Sequence, residues 1–430
     1  MAEILPFAGL RYVKEKVGDL SLVVAPPYDV ISPELQDTLY QRHMFNIVRL
    51  IKTKGDNPYE EADIQLKRWK SDGILASDPT PGIYLYRHRF RISEKKPMKT
   101  RKGFIALCRL EDFGSGRALP HEKTLAAPRD DRLRLLEATR TNLCPIFAVY
   151  PHKELDALLG KLMGRKPEVL ITDDDRVEHA IWRLTDKKEI ETIQRGIQDK
   201  GFIIADGHHR YEAAMSYRDR QRGKNPEGAS GPHDFVMLYF TSMEGRGLTI
   251  LPTHRLVSGL KAMDKEGYLT RIERFFSVME FPLSGGEQWA LDMLMEGMKK
   301  LGAKTRVYGL IFKEDRAYYL LAVKEREFMS EEVTEKLKGI SAPLLDLDVT
   351  VLHSFLLPEL ASGESPSLQY VHRAEEAAAA IKEGSVQAAF LLTPTRISQI
   401  ARVTETGEVM PPKSTYFYPK LLSGLVLRSL

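Results

Sequence analysis

"GFIIADGHHRYEAA" (Gly201–Ala214) joins an apolar run to an acid, a glycine, two histidines and an arginine, then turns amphipathic. "FIIA" reads as a buried strand, and "RYEAAMSYRDR" places Ala213, Ala214 and Tyr217 on one helical face. Gly207 lies at the junction, where a residue without a side chain turns sharply and lets a ligand approach the backbone. N–H groups at a helix start favour anions, and Arg210 adds a planar fork of donors suited to phosphate oxygens. His208 and His209 add neutral or cationic donors, and Asp206 is placed to hold a metal ion or orient a hydroxyl. The stretch reads as a phosphate cradle with acid/base groups attached. The plainer readings are a strand–glycine–helix junction with Asp206 as a cap, or a zinc site, for which the usual His-x-x-x-His or Cys-x-x-Cys spacing is missing.

Outward from this point the chain alternates short strands and helices. "LSLVVAPPYDVIS" is β-like until Pro26-Pro27. "SPELQDTLYQRH" is a helix with Ser32 as N-cap and Pro33 at its first position. "NIVRLI" reads as a strand. "NPYEEADIQLKRWKSDG" is a helix capped by Asn57, with Ala62, Leu66 and Trp69 on one face and Gly73 as its stop. "GIYLYRHRFRI" and "KTRKGFIALCRLEDF" read as paired strands. After a loop, "LPHEKTLAAP", come the helix "RDDRLRLLEATR", the buried strand "CPIFAVYP", the strand "EHAIWRLT" and a helix with Ile190, Ile193 and Ile197 on one side. Residues 221–234 are rich in Gly, Pro and Asn and read as a mobile loop. "FVMLYFTS" and "LTILPTHRLV" follow as strands. The last third holds an amphipathic helix, the hairpin "TRVYGLIFKEDRAYYLLAVKE", the helical "LDVTVLHSFLLPELA", an alanine-rich helix, and the strand "VQAAFLLTPT". The expected class is α/β (α+β mixed), in three parts: an N-terminal α/β segment over 1–118, a core carrying the DGHHR loop over 119–257, and a C-terminal α/β domain over 258–430.

Bulk properties bound the function. The chain has 430 residues, 63 Lys plus Arg against 59 Asp plus Glu, and interspersed charges. That argues against a polybasic nucleic-acid arm and leaves room for a local anion pocket. No uncharged apolar run approaches the roughly 20 residues needed to cross a bilayer. The start carries no secretory pattern. Cys108 and Cys144, the only two cysteines, read as reduced core residues, and the expected compartment is the cytoplasm.

Several motifs together carry a family resemblance over nearly the whole chain: "APPYDVIS", "HEKT…DRLRLLEAT", "ADGHHRYEAA", "LPTHRLV" and "MPPKSTYFYPK". The chain resembles the bacterial and archaeal family called domain of unknown function 1015, a label that names no activity. "ADGHHR" is also similar to the signature loop of free serine kinases, in the superfamily of ParB proteins and sulfiredoxins. The upstream "LPHEKT" is similar to their proline-histidine-glutamate segment. That resemblance implies a ParB/sulfiredoxin-like nucleotide-binding core with flanking α/β segments. It also implies ATP or ADP with Mg²⁺, and Glu122 as the base that takes a proton from an acceptor hydroxyl. Asp206, His208, His209 and Arg210 would surround the transferred phosphoryl group, with Asp206 and His209 in catalysis and Asp206 the metal ligand. The segment from Glu122 to Asp206 is longer than in the compact kinases. No Walker A loop and no protein-kinase set is present.

Other stretches have two readings each. His254 and Arg255 in "PTHRLV" are a second phosphate or substrate contact, or ordinary strand-end residues. His121 is a candidate substrate contact. Asp130, Asp131 and Arg132 read as helix-start residues, and Tyr28 and Asp29 as a binding loop or a turn. Lys413, Ser414, Thr415 and Lys420 among Tyr416, Phe417 and Tyr418 suit a phosphate or a stacked base; the alternative is a strand docking its aromatics. The expected activity is phosphoryl transfer to a small hydroxylated metabolite, first of all free L-serine. The alternatives are a nucleotide-gated binding module and a metal-dependent hydrolase. The expected partners are a nucleotide and a small substrate, not nucleic acid or membrane, with a homodimer left open.

Overall fold

The computed structural model describes residues 3–94, 96–198, 201–224, 230–261 and 263–430. It divides into two compact units, Met1–Thr249 together with Phe417–Leu430, and Ile250–Tyr416. The architecture is mixed α/β with several sheets.

In the first unit, helices α1 (Pro33–Arg42) and α2 (Pro58–Ser71) form where Pro sits at N1. Ser32 Oγ caps α1 by accepting from the Leu35 N–H at 3.2 Å, whereas Asn57 makes no side-chain cap. Ala62, Leu66 and Trp69 are buried as expected. Two expected strands are absent. "LSLVVAPPYDVIS" forms 3-10 turns at Leu20–Leu22 and Tyr28–Val30, and "NIVRLI" forms a helical turn, Val48–Ile51. Asn46 explains the exchange. Its Nδ2 donates to Leu22 O (2.8 Å) and Val24 O (3.1 Å), and its Oδ1 accepts from the Val48 N–H (3.0 Å). One side chain satisfies backbone groups that a sheet ladder would otherwise have served.

The unit's main sheet is nine-stranded. Its strands are β1 (Ile4–Leu5), β2 (Ile83–Phe90), β3 (Lys99–Arg109), β4 (Ala118–Pro120), β5 (Ile146–Tyr150), β6 (Val169–Thr172), β7 (Glu178–Leu184), β8 (Phe202–Asp206) and β9 (Phe235–Ser242). They lie in the order β4-β8-β5-β9-β3-β2-β7-β6, with β1 on β3. Only β8–β4 and β9–β5 are parallel pairs among the described residues. The expected boundary at 118/119 falls within this sheet. The strand period of two gives it unlike faces. Phe104, Ala106, Leu238, Phe240, Ala148 and Ile204 face helices α3 (Ala126–Thr139), α4 (Glu154–Leu162), α5 (Lys187–Ile197) and α6 (His208–Lys224) and build the apolar core. The other face carries Tyr86, His88, Arg101, Phe147, His179 and Tyr239 in mutual contact. Of the loop expected over 221–234, residues 221–224 extend α6, 232–234 form a 3-10 turn, and 225–229 lie outside the described residues. Both cysteines are free thiols. The tail Phe417–Leu430 is bound into this unit: Ser423 pairs with Ala25, and Leu427 with Leu10.

The second unit is built on a six-stranded antiparallel sheet. Its strands are β10 (His254–Ser258), β11 (Phe276–Pro282), β12 (Val307–Phe312), β13 (Ala317–Val323), β14 (Ser367–Val371) and β15 (Ala388–Leu391), in the order β11-β13-β12-β15-β10-β14. The expected boundary at 257/258 falls inside β10. Helices α7 (Glu287–Leu301) and α8 (Ala374–Lys382) cover one face. The expected helix "LDVTVLHSFLLPELA" widens to a π-helical turn at Leu352–Leu356, just before Pro358, which has no N–H to give its preceding turn.

Candidate functional site

Strand β8 ends at Asp206 and α6 begins at His208, so Gly207 alone makes the turn. Its φ is +89°, and a Cβ there would lie 2.6 Å from Arg210 Nη2. Both the backbone angle and the overlying guanidinium select glycine. A bulge precedes the turn: Ile204 lies opposite Ala148, but Asp206 lies opposite Phe147. Directly opposed residues share a face, so the bulge turns Asp206 away from the helix core and toward the aromatic, cationic face.

There Asp206 Oδ2 accepts from Arg210 Nη2 at 2.9 Å, and Oδ1 accepts from Lys420 Nζ in the tail. The three side chains are only 12–14% exposed. Burial alone would raise the Asp206 pKa; Lys420, Arg210 and His208 outweigh it and bring it down to about 2. Arg210 also donates from Nη1 to Pro145 O, and its buried Nε has no partner among the described residues. Behind this group lies Arg101, 1% exposed, donating to Pro419 O at 2.7 Å and stacked over Phe147 at 4.7 Å. Its buried Nε and Nη1 have no partner among the described residues. Among the described residues Arg101 forms no ion pair; burial lowers its pKa, and Tyr239, Tyr86 and Asp206 act in the other direction.

The two histidines do something other than expected. His208 Nε2 accepts from the His121 N–H at 3.3 Å, and His209 Nε2 accepts from the Leu125 N–H at 3.1 Å. Thr124 Oγ1 donates to Glu212 at 2.9 Å. The first turns of α6 therefore fasten the segment 121–125, which carries Glu122. Burial holds His208 well below its usual pKa and His121 at about 4, so both are neutral at pH 7. His121 Nδ1 lies on Ile204 O. The parallel register pairs Ile204 with Pro120, two residues before Glu122.

Asp206 does not fit its expected metal role. Both its oxygens hold cations, and both histidine Nε2 lone pairs are taken by backbone N–H groups. Among the described residues no group of three His, Cys, Asp or Glu side chains is placed to hold a metal ion. The structure therefore gives no support to a zinc or hydrolase reading of these residues. Asp130 and Asp131 are not helix-start residues either, because α3 begins at Ala126. Asp131 instead accepts from Arg132 Nε at 2.7 Å and from the Tyr59 hydroxyl at 2.9 Å. The Arg132 guanidinium lies 3.9 Å from the Tyr28 ring centroid. Tyr28, Arg132, Cys144 and Arg210 wall a mostly apolar cavity of about 50 Å³, room for a few waters.

His254, Arg255, Lys413, Ser414 and Thr415 belong to the second unit. Arg255 is 1% exposed and donates to Lys413 O at 2.9 Å, so the Lys413 backbone, in a left-handed φ of +59°, meets it while the ammonium side chain is exposed. His254 Nδ1 accepts from the Leu392 N–H at 3.1 Å, and burial lowers its pKa to about 3, as expected of a core histidine.

The family described as "Protein of unknown function (DUF1015)" matches residues 4–350. The chain belongs to the DUF1015 family. Three solved structures are distantly similar to this DUF1015 member. A conserved hypothetical protein from Pyrococcus furiosus is 13% identical, with 76% of this chain and 94% of that one covered at a TM-score of 0.35. A free serine kinase in complex with AMP is 13% identical, with 73% and 86% covered at 0.33. SbnI with C-terminal truncation, from Staphylococcus aureus, is 10% identical, with 75% and 86% covered at 0.36. A comparison with curated proteins finds no match. No helix among the described residues is long and apolar enough to cross a membrane.

Proposed function

We propose that this DUF1015 protein is a nucleotide-dependent phosphotransferase acting on a small hydroxylated metabolite, with free L-serine the first acceptor to test. One observation supports the reading: at the Gly207 turn Asp206 gathers Arg210 and Lys420, and on the same sheet face lies Arg101, 1% exposed, with Nε and Nη1 lacking a partner among the described residues. Guanidinium and ammonium donors gathered in one place suit the oxygens of a phosphate. Phosphoryl transfer asks a protein chiefly to position oxygens and neutralise the charge on the transferred group, which this set is suited to do.

In the reaction, the acceptor O–H gives its proton to the Glu122 carboxylate as the oxygen bonds to the terminal phosphorus of ATP or ADP. The bond from that phosphorus to the bridging oxygen breaks, and the shortened nucleotide leaves with the electron pair. Arg210 and Lys420 stabilise the charge on the transferred group, while His208 and His209 hold the loop that carries Glu122. The motif resemblance of "LPHEKT" and "ADGHHR" supports the same roles. The test is ³¹P NMR of the full chain with L-serine, nucleotide and Mg²⁺. O-phosphoserine should form, and Glu122→Gln should abolish it at unchanged thermal stability. Nucleotide binding with no consumption, against L-serine and a panel of small alcohols, would replace this reading with the gated binding module.

A further inference from the structure

Two motifs, "LPTHRLV" and "MPPKSTYFYPK", contribute residues to the second unit that the phosphoryl-transfer reading does not use. They meet in a small polar recess lined by Thr253, Arg255, Asp348, Thr395 and Ser414, with about 10 Å³ of free space. That is room for about one oxygen atom. Asp348, Thr393, Pro394 and Gln399 also line a much larger cavity of about 1020 Å³, so the recess is its polar end. Thr253 is 3% exposed and its Oγ1 has no hydrogen-bond partner among the described residues. A buried hydroxyl left unpaired costs stability and calls for an explanation. The guanidinium of Arg255 is held on Thr253 O and Lys413 O, with His353, presented by the π-helical turn, 3.4 Å from its Nε. Asp348, the acid in the recess, is already engaged by Thr393 and by Arg306 Nε at 3.2 Å.

We propose that the second unit holds its own ligand site for a phosphorylated metabolite of mononucleotide size, with one phosphate oxygen lodged between Thr253 Oγ1 and Arg255 and the rest of the molecule in the large cavity. The size follows from the two volumes. The recess admits a single oxygen, so the phosphorus and everything attached to it lie outside. The adjoining space lies at the upper end of what ligand pockets offer. The charge class follows from Arg255 at the recess; the wall of the larger cavity carries both signs, Lys304, Arg306, Lys338 and Arg396 against Glu325, Glu335, Asp346 and Asp348.

The probe is AMP, titrated calorimetrically into the full chain. Wild type should bind two equivalents, Thr253→Val one, and Lys420→Met the other one. Arg255→Lys should weaken the second-unit equivalent at least tenfold. Thr253→Val also gives a readout that a merely structural hydroxyl would not. Removing an unsatisfied donor should leave the ligand-free melting temperature equal to or above wild type, while the AMP-induced upshift of the second unit disappears. The inference is overturned if Thr253→Val and Arg255→Lys bind AMP with wild-type stoichiometry, or if Thr253→Val melts lower without ligand. Loss of binding in Thr253→Val, with Lys420→Met unchanged, would keep this site and remove the phosphoryl-transfer reading instead.

Discussion

Lys420→Met keeps the aliphatic stem and removes one ammonium from a buried carboxylate. Breaking a buried pair from one side costs about 3–5 kcal/mol. Arg210 keeps its own bond to Asp206, so the lower end, about 3 kcal/mol, is expected. The same change raises the Asp206 pKa, because Lys420 is the largest of the contributions that oppose burial. The sign follows from linkage. A carboxylate depressed in the folded state stabilises above its unfolded pKa near 3.9, and that stability is lost as pH falls toward about 2. In the variant the folded value lies closer to the unfolded one, so the window narrows from its low-pH end and less stability is lost on acidification. Urea unfolding followed by tryptophan fluorescence reads the first unit through Trp69 and Trp182, which are 0% and 5% exposed. A double-mutant cycle with Asp206→Asn should give a coupling of about 2 kcal/mol. Additive effects, or a Lys420→Met variant within about 0.5 kcal/mol of wild type, would refute the reasoning.

Gly207→Ala forces a side chain into a left-handed backbone and against the Arg210 guanidinium; about 1–3 kcal/mol should be lost, and nucleotide binding with it, by denaturation and calorimetry. His121 is held at about 4 by burial, so its contribution is complete above pH 6.5 and falls as pH drops toward 4. From this group alone about 3 kcal/mol should disappear over that window, and His121→Phe should flatten the stability–pH profile measured by chemical denaturation. His209→Ala leaves the Leu125 N–H without its acceptor, so amide exchange over 121–125 should speed up at least tenfold while the amides of β8 keep their protection.

The strand–glycine–helix turn was legible in the sequence because its signals are local: an apolar run, one glycine and an amphipathic face. The same holds for the pairing of β2 with β3 and for the isoleucine face of α5. What was not legible depended on distance along the chain. Lys420 stood out in the tail as a cation among aromatics, but nothing local said that it would reach Asp206, 214 residues earlier. Arg101 carried a signal that passed unused: it alternates with Gly103 and Ile105, which puts a charged residue on the same strand face as buried ones. The adjacent histidines suggested ligands because histidine chemistry invites it, whereas their lone pairs serve two backbone N–H groups of a loop about 85 residues away. "NIVRLI" looked like a strand by composition; Asn46, whose side chain can replace a ladder, decided otherwise.

The role of the cations beside Asp206 in holding a nucleotide can be tested directly by titrating ADP into the full chain and into Lys420→Met by calorimetry at low and high salt. Saturable binding to the wild type, weakened at least tenfold in the variant and only mildly by salt because the site is screened from solvent, is the predicted result. Equal affinity in both proteins, or no binding to the wild type, would contradict it.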